Sequence, residues 1–175
     1  MPAVGRLATF QNPSTSEISV TDSAAPRIGA PAPDFSLPST AGREVSLGEF
    51  RGTRSVLLAF FPLAFTSTCT SEMNAFTEDF ERFTAAGAVI LPISTDSVPT
   101  LKEYKSKYAM KVDLLSDFKR TVSRQYDVLI EEKYHPKRAY FLVDRTGVLR
   151  WAHTEAVLGD RRTDAELLER IAALG

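Results

Sequence analysis

The spacing of hydrophobic positions changes several times along this chain, and each change predicts an element. Residues 55–61 are apolar at almost every position, as in a strand buried on both faces. From residue 66 to 86 the apolar side chains Met73, Phe76, Phe80 and Phe83 recur at steps of three and four. That spacing predicts one helix with a single buried stripe, ended by Gly87. Residues 88–94 predict a second buried strand. Leu101, Tyr104 and Tyr108 then give a helix its apolar face, with Pro99 at its start. A short strand over 114–116 leads to a helix over 117–126, with Ser116 or Asp117 as its cap. Residues 139–143 and 148–152 predict a hairpin around the turn 144–147. The closing helix covers 163–174, with Leu167, Leu168, Ile171 and Leu174 facing inward. Upstream, Pro31, Pro33 and Pro38 keep the entry segment extended. Phe35 and Leu37 alternate as a short strand does, a turn at 41–43 follows, and one helical turn at 47–50 ends by Gly52. Strands alternating with helices predict an α/β domain, a central sheet covered on both faces and made mixed by its last hairpin.

The segment 1–27 breaks this regularity. It is rich in Ser, Thr, Ala and Pro with little periodicity, so it is expected to be a flexible tail or an extra edge segment before a domain at 28–175. It has neither the charged start and apolar core of a secretory signal nor the arginine content of a transit peptide.

Composition narrows the function classes. The chain has 175 residues, enough for one domain with a substantial core. A formal net charge of -1 gives no field that would draw nucleic acid or an anionic membrane. No apolar run approaches the roughly 20 residues of a membrane helix. Two histidines beside one cysteine make a poor metal site, and no glycine-rich phosphate loop occurs. The expectation is therefore no cofactor, no nucleic acid and no membrane. A single cysteine excludes an intramolecular disulfide and fits a reducing, cytoplasmic setting.

That cysteine, Cys69, carries the chemistry. It follows the predicted strand and Pro62, so it falls in the first turn of a helix, where unpaired N–H groups and the helix dipole favour an anion. The thiolate is the nucleophilic form of cysteine, and a helix N-terminus is one setting that promotes it. A lone cysteine is also, more simply, a small buried hydrophobe. The surrounding residues favour the reactive reading. Pro62, Thr66 and Cys69 stand in a Pro-x-x-x-Thr-x-x-Cys pattern that resembles the peroxiredoxins. The entry run Ala32-Pro33-Asp34-Phe35-Ser36-Leu37, the acidic Glu72 and Arg138 just before a strand resemble the same family in the same order. The likeness covers about residues 28 to 174.

This resemblance implies a thioredoxin-like fold and reduction of hydrogen peroxide and organic hydroperoxides through a cysteine sulfenic acid. It implies Cys69 as nucleophile, Arg138 as the cation that stabilises thiolate and transferring oxygens, Thr66 as a hydroxyl facing the pocket, and Pro62 as a wall that keeps water off the sulfur. Glu72 would hold Arg138. Each residue has a plainer reading too. On that reading Pro62 simply ends a strand, Thr66 caps a helix, Glu72 complements the dipole, and Arg138 is a solvated charge. His135 reads as a surface-loop residue. Without a second cysteine the enzyme needs an external thiol: a low-molecular-weight thiol, a glutaredoxin-like protein or a thioredoxin. The run Phe61-Pro62-Leu63-Ala64-Phe65-Thr66 is most similar to the alkyl hydroperoxide reductase E group of actinobacterial peroxiredoxins, which implies mycothiol-dependent reduction and a homodimer. Asp127 stands where such relatives usually have glycine; aspartate tolerates a left-handed backbone better than most residues, so a modest local effect and no loss of activity are expected. A redox sensor with little turnover is the competing reading.

Overall fold

A computed structural model describes residues 25–175. The expected flexible tail falls mainly on residues 1–24, which lie outside the described residues. From the N-terminus, β1 (Ser36–Pro38) and β2 (Glu44–Ser46) form a hairpin, followed by a 3-10 turn, Leu47–Phe50. The central strand β3 (Ser55–Phe60) leads into α1 (Ser67–Glu78) and α2 (Phe80–Ala85). Then come β4 (Ala88–Ser94), α3 (Val98–Lys107), β5 (Leu115–Ser116) and α4 (Thr121–Gln125). A small hairpin of β6 (Leu129–Ile130) and β7 (His135–Pro136) precedes β8 (Ala139–Val143), β9 (Leu149–Thr154) and α5 (Asp164–Ala172).

The main sheet has the order β5-β4-β3-β8-β9. β3 and β4 are parallel, as are β4 and β5, whereas β8 runs antiparallel to both β3 and β9. The sheet is mixed, as the final hairpin requires. All six residues of β3 are buried because both faces of the sheet are covered. Val56, Leu58 and Phe60 of β3 point to one face and pack with Phe141, Leu37, Val122 and Tyr126. Leu57, Ala59 and Phe61 point to the other, which α1, α2, α3 and α5 cover through Met73, Phe76, Phe83, Leu101, Tyr104, Leu167 and Ile171. Period two on the strands and period 3.6 on the helices thus meet in one layer, and Cys69 belongs to it.

Three expectations need correction. The helix over 66–86 is two helices, broken at Asp79, whose carboxylate pairs with Arg82 at 3.0 Å. Aspartate is a weak helix-interior residue because its side chain competes for local partners. Gly87, at φ 71, ends α2 as expected. The helix over 117–126 starts only at Thr121. Asp117 caps it from upstream by accepting from Val122 N at 3.2 Å and Ser123 N at 2.6 Å, with Arg120 in the left-handed region between. His135 is not on a surface loop: it is buried in β7, with Nδ1 3.0 Å from Pro136 O. Asp127 adopts a left-handed backbone, with φ 56, a conformation aspartate tolerates.

Asp164 opens α5 behind the N-cap Thr163. It is buried, and neither carboxylate oxygen has a hydrogen-bond partner among the described residues. Burial, with repulsion from Asp79, pushes its pKa up to about 6. The unfolded chain therefore loses this proton near pH 4 and the folded chain only near pH 6. The penalty on folding is absent below pH 4, grows between, and is full above pH 6. Asp164→Asn is expected to stabilise the protein by about 1–2 kcal/mol at pH 7.5, after allowing for solvent screening and the cost of burying an amide. A melting curve should then rise by about 5 °C at pH 7.5 and stay unchanged at pH 4.

Candidate active site

α1 and β8 bring the predicted residues together. Thr66 is the N-cap of α1, with extended backbone (φ -79, ψ 153), and Cys69 and Glu72 follow one turn apart on the face turned to the sheet. The alternation that buries Tyr140 and Leu142 of β8 on that face extends back to Arg138, the residue just before the strand. The result is a continuous buried array. Arg138 Nη2 donates to Cys69 Sγ at 3.3 Å and to Leu158 O at 3.4 Å. Arg138 Nη1 donates to Glu72 Oε2, and Tyr140 OH donates to Glu72 Oε1. Arg162 N donates in turn to the Tyr140 oxygen at 3.2 Å. Cys69, Glu72 and Arg138 are each only 1 % exposed. The solvated reading of Arg138 and the dipole reading of Glu72 do not survive this geometry.

Burial and charge oppose each other here. Burial pushes the Glu72 carboxyl above its ordinary range, while Arg138 and Tyr140 pull it back. Burial works against the Arg138 charge, but Glu72 and Cys69 more than offset it and hold the guanidinium protonated. Tyr140 is pushed far up by burial and by the neighbouring Glu72, so it remains a neutral donor. Arg138 Nε is buried without an acceptor among the described residues, which leaves one donor of the site unused.

The loop before α1 holds the other two predicted residues. Pro62 is buried two residues after the end of β3. Thr66 is exposed; its hydroxyl donates back to Leu63 O at 2.9 Å and makes no side-chain cap bond to α1. Thr66 thus caps with its backbone, and neither Thr66 nor Pro62 is hydrogen-bonded to Cys69 or Arg138. Between them Phe65 sits at φ 65, a left-handed conformation that costs a bulky residue about 1–2 kcal/mol. Its ring packs on Tyr104 at 4.8 Å, and Asp96 ties the loop down by accepting from Ala64 N at 2.9 Å. Tyr104 in turn donates to Thr70 at 3.0 Å, and burial pushes its pKa up to about 12.

Sequence reasoning missed Tyr140, Asp96 and the Leu158 carbonyl. Tyr140 lay inside an apolar run and read as core; its even spacing from Arg138 was the available signal. Asp96 and Leu158 lie in loops without periodicity and gave none. Among the described residues, no group of three or more His, Cys, Asp or Glu gathers to hold a metal ion, and no helix is long and apolar enough to cross a membrane.

A thiol at a helix N-terminus, paired with a buried guanidinium and standing on a mixed five-stranded sheet, defines a class of thiol enzyme, and comparison with known proteins identifies the family. The model of the AhpC/TSA family matches residues 28–152. Alkyl hydroperoxide reductase E of Mycobacterium tuberculosis is 36% identical over 149 residues, covering 84% of this chain and 97% of that protein. Peroxiredoxin TSA1-B of Candida albicans is 40% identical over 136 residues, covering 72% and 69%. Among solved structures, the reduced 2-Cys peroxiredoxin of Plasmodium vivax superposes with a TM-score of 0.78 at 31% identity, covering 84% of this chain and 81% of that one. Enterococcus faecalis AhpC gives the same TM-score at 21% identity. The chain belongs to the AhpC/TSA family. It is a peroxiredoxin, a thiol-dependent peroxidase with a thioredoxin-like fold, and its one cysteine makes it of the one-cysteine type.

Proposed function

We propose that Cys69 is the peroxidatic residue of a cycle completed by an external thiol. The reading rests chiefly on the 3.3 Å approach of a permanently charged guanidinium to the sulfur of the chain's one cysteine. A cation at that distance, out of water, acts with little screening on charge that moves at the sulfur. The Cys69 thiolate attacks one oxygen of a hydroperoxide. A sulfur–oxygen bond forms, the oxygen–oxygen bond breaks, and the departing alkoxide or hydroxide takes a proton to leave as alcohol or water. Cys69 is oxidised to a sulfenic acid and the peroxide is reduced. Arg138 neutralises the charge that moves from sulfur to the leaving oxygen, and its unused Nε–H offers it a further donor. The Thr66 proton is committed to Leu63 O, so its oxygen acts as acceptor for the peroxide O–H. Pro62, with no N–H, walls the sulfur from water.

An external thiol then condenses with the sulfenic acid, releasing water, and a second thiol frees Cys69 as thiolate while the two reductant sulfurs join. The reductant is a low-molecular-weight thiol, a glutaredoxin-like protein or a thioredoxin. Hydrogen peroxide and organic hydroperoxides are both substrates, the latter accommodated by the exposed side chains of Leu63 and Phe65. A homodimer in the cytoplasm is the working state.

Stopped-flow mixing of the reduced protein with hydrogen peroxide and cumene hydroperoxide, followed by intact mass, tests the reading. The expected result is one added oxygen at a rate far above that of a free thiol, followed by repeated turnover when a thiol reductant is supplied. Oxidation without turnover under any thiol favours the sensor reading instead. A rate equal to that of free cysteine removes the enzymatic reading.

A further inference from the structure

We propose that Tyr140 is a positioning residue of this site: its hydroxyl donates to Glu72, keeps that carboxylate ionised, and so holds Arg138 against Cys69. This inference rests on the reading of Cys69 and Arg138 as the reacting pair.

Glu72 has two carboxylate oxygens and two side-chain donors, one for each. Oε2 takes Arg138 Nη1 and Oε1 takes Tyr140 OH. The group is 1 % exposed, so water does not substitute for either donor. A buried carboxylate that loses a donor is driven to take up a proton instead. Protonated Glu72 is neutral and itself a donor, and it no longer draws Nη1 of Arg138. The guanidinium is then free to turn, and the Nη2 contact with Sγ loosens with it. Tyr140 suits the task because its own ionisation is pushed out of reach by burial and by Glu72. Its orientation is also set from behind, since its oxygen accepts from Arg162 N at 3.2 Å. The segment between β9 and α5 is thereby locked onto the site twice, at Tyr140 and at the Leu158 carbonyl that takes Arg138 Nη2.

Other charges around Glu72 do not replace this bond. Arg138 approaches from the start of β8. Arg161, before α5, acts on Glu72 through charge only. Cys69 on α1 is reached through Arg138. Asp164 of α5 and Tyr104 of α3 feel the charge of Glu72 as repulsion, which disfavours ionisation. Tyr140 is the only neutral donor on the carboxylate among the described residues.

The test is Tyr140→Phe, which removes one oxygen and keeps the ring in the core. Sulfenic acid formation by hydrogen peroxide is measured from pH 6 to pH 9 beside wild type. The ratio of wild-type to variant rate is expected to be about tenfold at pH 6 and to shrink to about twofold at pH 9, as Glu72 loses its proton again. On a Glu72→Gln background, where there is no charge to protect, adding Tyr140→Phe is expected to change the rate by less than about twofold. A pH-independent ratio, or the same loss on the Glu72→Gln background, would mean that Tyr140 acts by packing alone and would overturn the proposal. Infrared difference spectra against Glu72→Gln decide the matter without catalysis. A carboxylate band for Glu72 in wild type at pH 7, replaced by a protonated carboxyl band in Tyr140→Phe, is expected. A protonated band in wild type overturns the proposal, even if the phenylalanine variant does not fold. Failure of wild type to react with peroxide at all would strike the proposed function and leave the infrared answer standing.

Discussion

Replacing Cys69 by serine is expected to abolish oxidation by peroxide, and replacing Arg138 by alanine to slow it by about 10³-fold. The first result follows from chemistry: serine has no accessible alkoxide near neutral pH, and the chain holds no second thiol to substitute. The second follows from position. Nη2 of Arg138 lies 3.3 Å from the sulfur with both groups shielded from water, where a charge acts with little screening. Its loss removes stabilisation from the thiolate and from the departing oxygen together. Arg138→Lys is expected to recover only part of the rate, remaining about 10²-fold below wild type. An ammonium restores a point charge but lacks the planar fork that serves Glu72 on one nitrogen and Cys69 and Leu158 on the other. Stopped-flow traces of the three variants, with circular dichroism to establish that each is folded, provide the comparison. A rate for Arg138→Ala within tenfold of wild type would remove Arg138 from the mechanism.

Much of this was readable from the sequence because the fold and the site use the same periodicities. β3, β4 and β8 are continuous apolar runs since both faces of the sheet are covered, and such runs are the easiest strands to recognise. Cys69 and Glu72 are three apart on a helix, so their shared face followed from spacing alone. What could not be read depends on long-range pairing. Nothing local distinguishes Arg138 from the solvated Lys137 beside it; the difference is the parity that turns Arg138 toward α1. Tyr140 looked like core and is core, except for its oxygen. His135 looked like loop because β6 and β7 are two residues each, too short to show alternation. Thr66 was expected to turn its hydroxyl to the pocket or, more plainly, to cap the helix with it; the hydroxyl donates instead to Leu63 O, in a loop bent at Phe65.

The stability of the Glu72–Arg138 pair is expected to be asymmetric, and that asymmetry separates its two members. Glu72→Ala strands a guanidinium that is 1 % exposed and cannot give up its proton. It also leaves the Tyr140 hydroxyl without its acceptor. Breaking a buried pair in this way costs about 3–5 kcal/mol, a fall of roughly 10 °C in the melting temperature of a chain this size. Arg138→Ala strands a carboxyl instead, and burial already pushes Glu72 toward its protonated form. Taking up a proton relieves the penalty, so this variant is expected to lose less stability than Glu72→Ala, and less at pH 5 than at pH 8. The sign follows from linkage: with its pKa raised in the folded state, Glu72 favours folding where it is protonated and penalises it as pH rises through that raised value. The double variant Glu72→Leu/Arg138→Met removes both charges and keeps apolar volume. It is expected to melt above the Glu72→Ala single variant while remaining as slow with peroxide as Arg138→Ala, because the pair's desolvation cost disappears with its chemistry. Equal melting temperatures for the two single variants, independent of pH, would show that the pair is held by packing and not by charge.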